Sequence, residues 1–325
     1  MSAATDSLFS PSISPNIRSF DPRRDLRPVA DLIEICFADT LDPDGERYIQ
    51  RMRSAASNPG LLTWAAASAE WSRHMMSGFV WEEQGRLVGN LSIIPYTVQG
   101  KRRYLIANVA VHPDFRRRSI ARQLTVHAIT HARQRGVPQV WLHVREENNP
   151  AVTLYRSLDF VERARRTTWH SQSDYPRATL STDLEVHSRR PADWQLQQAW
   201  LRQNYPLEVT WQLPLQIKAM RPGLMGTLSR LFGDVYIQQW SIHRQGQLQA
   251  AVSWQSSVAF ANILWLAAAP ESDGEAVQNL LTHIRRQVPS RRPLALDYPA
   301  GQFSAAIQAA GFISHQTLIW MAIEF

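Results

Sequence analysis

Apolar residues recur along the chain with helical and strand periods, and their order predicts a mixed succession of elements. Residues 17–20 read as a short strand broken by Asp21 and Pro22. Leu26, Val29, Ala30, Ile33 and Phe37 then share one helical face over residues 25–37. Residues 38–46, with Pro43 and Gly45, are expected to form a loop, and a second helix is expected from Arg47. Residues 78–82 and 86–96 predict a hairpin turning at Gln84 and Gly85. Residues 104–111 predict a strand that stops at His112 and Pro113. Residues 118–135 predict a helix with Ala121, Leu124, Ala128 and Ala132 on its apolar face, closed by Gly136 and Pro138. Residues 140–144 form a buried strand pattern. Asn148 or Asn149 caps the next helix, whose face carries Ala151, Leu154, Tyr155 and Leu158. Residues 160–163 and 167–170 close the series as two strands.

The same order then returns. Gln84-Gly85-Arg86-Leu87 is echoed by Gln245-Gly246-Gln247-Leu248, and Ser92 by Ser253, at an offset of 161. The strand ending at Pro113 is echoed by residues 262–270, and the helix after it by residues 275–288, at an offset of 157. Asp159-Phe160 is echoed by Gly311-Phe312 at 152. Offsets that shrink in order are what loop deletions leave in a duplicated unit. Residues 1–17, rich in Ser, Ala and Pro, read as a flexible tail. Residues 171–183 read as a polar linker between copies at 18–170 and 184–325.

Composition adds two constraints. With one cysteine, Cys36, no internal disulfide can form, so a reducing, cytoplasmic setting is expected. No apolar run approaches the ~18 residues of a membrane span. The formal charge is +7. Between Lys101 and His170 there are fourteen Lys/Arg and five Asp/Glu, a local +9 that leaves about −2 elsewhere. Such a region needs an anionic partner. Its arginines are not interleaved with stacking aromatics, which argues against nucleic acid.

The anion is placed by Val109-Ala110-Val111, His112-Pro113 and the run Arg116-Arg117-Arg118-Ser119-Ile120-Ala121-Arg122. A buried strand stops at a proline turn, and a helix starts after small residues. Amide N–H groups can approach an anion there, and the helix N-terminus adds partial positive charge. Two histidines four apart, His127 and His131, have metal-binding spacing, but no third ligand accompanies them, so no metal is expected.

Together these residues resemble the GNAT superfamily of N-acetyltransferases. Its pyrophosphate motif has Arg or Gln, two residues, Gly, one residue, then Gly or Ala; Arg116, Ser119 and Ala121 take those places, with Ser for the first Gly. Its second signature, Asn-x-x-Ala-x-x-Leu-Tyr followed by Gly-Phe, is matched by Asn148, Ala151, Leu154, Tyr155 and Phe160, with Asp159 for Gly. The first copy is similar to ribosomal-protein alanine N-acetyltransferases. The resemblance implies two tandem GNAT (acyl-CoA N-acyltransferase) folds of the α/β (α+β, mixed-sheet) class, each a central mixed sheet flanked by helices. It implies acetyl-CoA as co-substrate, held by Val109–Val111, Arg116–Arg122 and Asn148, the last on the pantetheine arm or at the helix opening. Tyr155 is then the acid for the departing thiolate. His143 is a candidate base, with Glu146, Glu147 or a water chain as alternatives.

The expected activity is transfer of an acetyl group to a primary amine of a small molecule or peptide by direct attack in a ternary complex. The alternative is a non-catalytic acyl-CoA sensor. Asp39, Asp42, Asp44 and Glu46 could form an acidic lip for an ammonium acceptor. The second copy is expected to be degenerate. His143 maps to Ala295, Asn148 to Ala300 and Tyr155 to Ile307, while Glu271, Asp273 and Glu275 stand where the basic turn should be.

Overall fold

Asp21 and Asp42 each accept from a backbone amide at the start of a helix, and each is followed by a proline that cannot donate. Those caps begin α1 (Pro22–Phe37) and α2 (Pro43–Ser57) in the computed structural model, which describes residues 14–58, 77–172, 184–224, 226, 236–257, 259–288 and 292–325. The expected loop over 38–46 is therefore shorter: α2 starts at Pro43, because the Asp42-Pro43 pair is a helix cap rather than loop polarity. The expected tail at 1–17 and linker at 171–183 fall largely outside the described residues, which resume at Ser14 and Leu184.

The chain divides into two compact units. Unit 1 comprises Met1–Glu162 with Trp320–Phe325, and unit 2 comprises Arg163–Ile319. Unit 1 has strands β1 (Ile17–Ser19), β2 (Gly78–Glu83), β3 (Arg86–Val98), β4 (Lys101–Val111) and β5 (Gln139–Arg145), in that spatial order. Neighbours from β1 to β4 are antiparallel, while β4 and β5 are parallel. Helix α3 (Ile120–Gln134) makes the β4-to-β5 crossover, and α4 (Asn149–Arg156) follows β5. Leu26, Val29, Ile33, Ile49, Met52 and Val80 form the core under α1 and α2.

The strand beyond β5 comes from far along the sequence. The Phe325 N–H donates to the Pro138 carbonyl at 3.1 Å, Gln139 bonds Glu324 at 2.7 Å, and Trp320 stacks on His143. These partners run in opposite directions, so the end of β12 (Phe312–Glu324) lies antiparallel to β5. The expected first copy at 18–170 accordingly differs from unit 1. Strand β6 (Val161–Ser171), expected as two short strands, is one strand that leaves unit 1 after Glu162.

Unit 2 repeats the pattern. Strands β7 (Leu184–Ser188), β8 (Ile237–Arg244), β9 (Gln247–Gln255) and β10 (Asn262–Ala268) are antiparallel neighbours, β10 and β11 (Leu294–Pro299) are parallel, and β6 pairs antiparallel with β11. Helices α5 (Trp194–Asn204), α6 (Leu207–Thr210), α7 (Gly274–Gln287) and α8 (Ser304–Ala309) accompany them. Both units are thus mixed sheets with flanking helices, two tandem copies of one fold.

One buried ion pair anchors α1 to β1. Asp25, 1% exposed, accepts from Arg18 at 2.6 and 2.8 Å and from the Asp21 amide at 2.8 Å. Burial opposes ionisation of Asp25, but these bonds outweigh it and hold its carboxyl below the usual range. Stability from this site is therefore present above an ordinary carboxylate pKa and is lost as pH falls through the lowered one. Asp25→Ala should cost about 3 kcal/mol in urea unfolding at neutral pH, the low end for a buried pair because Arg18 keeps contact with solvent. The difference from the parent chain should shrink in acid.

Candidate functional site

Strands β4 and β5 separate almost as soon as they meet. Only Tyr104–Val140, Leu105–Trp141 and Ile106–Leu142 pair, and the ladder stops before Ala107 and His143. A bulge in β4 accompanies the separation. Asn108 adopts φ 51°, and the β3–β4 register shifts between Asn90 and Ser92. Polar side chains pin this bulge: Asn90 Nδ2 donates to the Asn108 carbonyl at 2.9 Å, and Asn108 Nδ2 donates to the Tyr48 hydroxyl at 3.1 Å. Burial, partly offset by Asn108, pushes the Tyr48 phenol up to about 12. The His112 N–H donates to the Val88 carbonyl of β3 at 2.9 Å. Donors alternate along a strand, so the Val111 N–H points the other way, into the gap beside β5.

The turn after β4 is built to expose amides. Arg117 (φ 63°) and Ser119 (φ 58°) both take left-handed backbone, which curls successive N–H groups toward one side. The N–H groups of Ile120, Ala121 and Arg122 open α3 and have no carbonyl four residues back within it. The helix start is held close to the sheet at Gly89. A Cβ there would come within 2.9 Å of the Trp81 Cβ and 3.0 Å of the Ile120 Cγ2. Arg116 through Ser119 are exposed, while Ile120 is buried and anchors the turn. Arg116 Nε donates back to the Val111 carbonyl at 3.2 Å, and Cys36 donates to the same oxygen at 3.3 Å. Arg118 lies 4.9 Å over the Phe115 ring and 3.4 Å from Glu83, and Arg122 bonds Ser157 at 2.8 Å. Among the described residues Arg117 is in no ion pair. Open amides, a helix N-terminus and four arginines suit a diphosphate.

Across the gap, α4 starts at the Asn148 cap, whose Oδ1 accepts from the Ala151 N–H at 3.3 Å. Asn148 thus holds the opening of α4 within the chain itself. Tyr155 is 6% exposed and sits edge-on to Phe160 at 5.9 Å. Burial alone drives its phenol far above the ordinary value, so the hydroxyl keeps its proton. His143, on β5, stacks on Trp320 with ring centres 4.1 Å apart. Arg145 donates to the Thr40 carbonyl at 2.9 Å and stands 3.5 Å from Glu147, joining the end of β5 to the α1–α2 turn. Asp42 caps α2, and Asp44 pairs with Arg47 at 3.2 Å, so half of the expected acidic lip serves local structure. His127 and His131 pack on Phe79 at 4.2 and 5.3 Å; burial lowers the pKa of both. Among the described residues no cluster of three or more His, Cys, Asp or Glu is placed to hold a metal ion, and no helix is long and apolar enough to cross a membrane.

The structure therefore gathers the β4 end, the basic turn and α4 in one unit. It adds Tyr48, Asn108, Arg145 and Trp320, which no motif in the sequence singles out. Asn108 carried a signal, a polar residue inside an apolar strand pattern; Trp320 carried none.

Unit 2 treats the same places differently. Its parallel strands also pair only three times, through Leu264–Leu296. Counted from that last pair, His143 corresponds to Asp297, not to Ala295 as the offset of 152 implied; the repeat runs at 154 in this strand. Register through β9 makes Ala268 the counterpart of Val111, and its N–H donates to Asn204 Oδ1 at 3.3 Å. Arg166, 2% exposed, binds Asp297 and donates to the Asn204 carbonyl at 2.8 Å. Asp273 caps α7 through the Glu275 N–H at 2.9 Å, and Arg244 pairs with Asp273 at 2.6 Å and Glu275 at 2.7 Å. Protein groups thus occupy both the gap and the helix start.

Residues 43–160, all within unit 1, match the model of the Acetyltransferase (GNAT) family. The chain is 40% identical over 67 residues to the [ribosomal protein bS18]-alanine N-acetyltransferase of Escherichia coli (strain K12), covering 21% of this chain and 45% of that protein. It is 52% identical over 52 residues to a mycothiol acetyltransferase of Thermobifida fusca (strain YX), 16% of each. The chain thus spans less than half the length of these curated relatives. In fold it is similar to a GCN5-related N-acetyltransferase from Sphaerobacter thermophilus, with a TM-score of 0.56 at 12% identity over 96% of this chain and 97% of that one.

Two substitutions probe this geometry. Left-handed backbone costs an L-residue about 1–2 kcal/mol, and glycine returns about 0.4–1 of that through the unfolded chain. Ser119→Gly should therefore stabilise by roughly 0–1.6 kcal/mol in chemical denaturation, and Ser119→Val should destabilise. Trp320→Ala should cost about 3–5 kcal/mol, as for other buried large aromatics, and should shift the His143 ring resonances in NMR.

Proposed function

We propose, from a first unit that matches the GNAT family model, that this chain transfers the acetyl group of acetyl-CoA to a primary amine, with unit 1 as the active copy. The single observation that carries the proposal is the pairing, in one unit, of an inward-facing Val111 N–H in a strand gap with an arginine-rich helix start. On this reading the amides of residues 117–122, with Arg116, Arg117, Arg118 and Arg122, hold the diphosphate of the co-substrate. Val109–Val111 lines its pantetheine arm.

The chemistry needs a neutral amine, a donor for the carbonyl oxygen and a proton for the departing sulfur. The Val111 N–H supplies the carbonyl donor. Tyr155, which burial keeps protonated at neutral pH, supplies the proton. His143, fixed flat against Trp320, takes the proton from the amine, directly or through water. The amine attacks the thioester carbon, the carbon–sulfur bond breaks, and the thiol leaves with the Tyr155 proton. The name of the Escherichia coli relative suggests an N-terminal alanine amine as the first acceptor to try.

The test is thiol release from acetyl-CoA with a panel of amines and peptide N-termini. Tyr155→Phe should lower kcat by about 10²-fold or more, the usual scale of a lost general acid. Affinity for coenzyme A should stay within about twofold, because the substitution leaves the phosphate turn intact. An unchanged kcat would remove Tyr155 from the chemistry, and no binding of coenzyme A by the parent chain would remove the whole proposal.

A further inference from the structure

Unit 2 keeps a cavity that the chemistry of unit 1 does not use. It has a volume of about 850 Å³ and lies where α5 ends, beside α6 and the segment leading into the short 3₁₀ turn Ile217–Met220. Its walls include Leu207, Leu215 and Ile217, with Tyr205 beneath them, and Arg202 and Lys218 stand at its rim. The floor is rigid. Tyr205 is 1% exposed, its ring lies under the Arg166 guanidinium at 4.8 Å, and Trp265 meets it edge-on at 5.4 Å. Arg166 is itself fixed by Asp297 and the Asn204 carbonyl.

The charges are one-sided. No carboxylate is among the described lining residues, and among the described residues neither Arg202 nor Lys218 is in an ion pair. Two cations at the mouth of an apolar cavity are complementary to a molecule with an anionic head and an alkyl body. We infer that this cavity binds a medium-chain carboxylate, its chain against Leu207, Leu215 and Ile217 and its head between Arg202 and Lys218. The site binds without transferring. The neighbouring strand gap is closed by Asn204, which takes the Ala268 N–H, and by the Arg166–Asp297 pair. The inference is independent of the acetyl transfer proposed for unit 1.

The experiment is titration calorimetry of the full chain with decanoate, hexanoate, decanol and decyltrimethylammonium, the ionic probes below their micelle concentrations and decanol below its solubility limit. Decanoate should bind saturably at one site. Each buried methylene tightens binding about fourfold at most, so hexanoate should be weaker by about one to two orders of magnitude. Decanol should bind at least tenfold more weakly than decanoate, and the ammonium should not bind. Arg202→Gln combined with Lys218→Gln should weaken decanoate at least tenfold and leave decanol unchanged. Leu207→Asp, at a side chain already 70% exposed and so safe for folding, should abolish decanoate binding. Thermal unfolding like that of the parent chain certifies each variant. The inference is overturned if decanoate gives no saturable heat, if the ammonium binds as tightly, or if folded variants bind decanoate like the parent.

Discussion

Two parallel strands that share only three residue pairs govern what each unit can do. Beyond Ile106–Leu142 and Leu264–Leu296 the backbones part, and each parting leaves strand amides without a ladder partner. A buried amide must find an acceptor, because leaving it unpaired costs as much as a lost hydrogen bond. Unit 2 meets this demand with its own side chain, Asn204, and packs Arg166 and Asp297 behind it. Among the described residues, unit 1 offers no such side chain to Val111. Its gap is shaped by the Asn108 bulge and by Tyr48, and the proposed function fills it with the carbonyl of the co-substrate.

The same contrast governs the helix that follows. In unit 1 the start of α3 is preceded by two left-handed residues and surrounded by arginines, so positive charge and open amides converge. In unit 2 the Asp273 carboxylate sits on the start of α7 and is neutralised by Arg244. An aspartate cap and a bound diphosphate answer the same need, a negative partner for a helix N-terminus. Unit 2 carries the answer in its sequence; under the function proposed for unit 1, the ligand would bring it.

Much of this is legible in the amino-acid sequence, because it is local. The hairpin at Gln84 and Gly85, α3, β5 and α4 are all marked by periodicity and by Gly, Pro and Asn at their ends, and the motif residues from Arg116 to Tyr155 need only sequence neighbours. The start of α2 is easily mistaken because Asp42, Asp44 and Glu46 look like a solvated loop, although acids in a first turn are what a helix favours. Duplication is readable from Gln-Gly, Ser and Phe echoes. The match of His143 is not, because the offset is 154 in the strand and 152 in the helix after it. Trp320 lies beyond any such argument. Its contact with His143 spans most of the chain, and a strand pattern does not say which neighbour it joins.

That distant strand also sets an order of events during synthesis. Everything in unit 1 through Glu162 leaves the ribosome before unit 2, but Trp320–Phe325 must wait until residues 163–319 have been made. At about 5–20 residues per second the wait is roughly 10–30 s. For that time β5 presents a bare hydrogen-bonding edge, with the flat face of His143 uncovered beside it. Nascent chains in one polysome carry identical edges at close quarters, a situation that favours pairing between copies. The protein thus has a window of vulnerability written into its connectivity, and a chaperone that shields β5 would guard the step on which the shape of unit 1 depends.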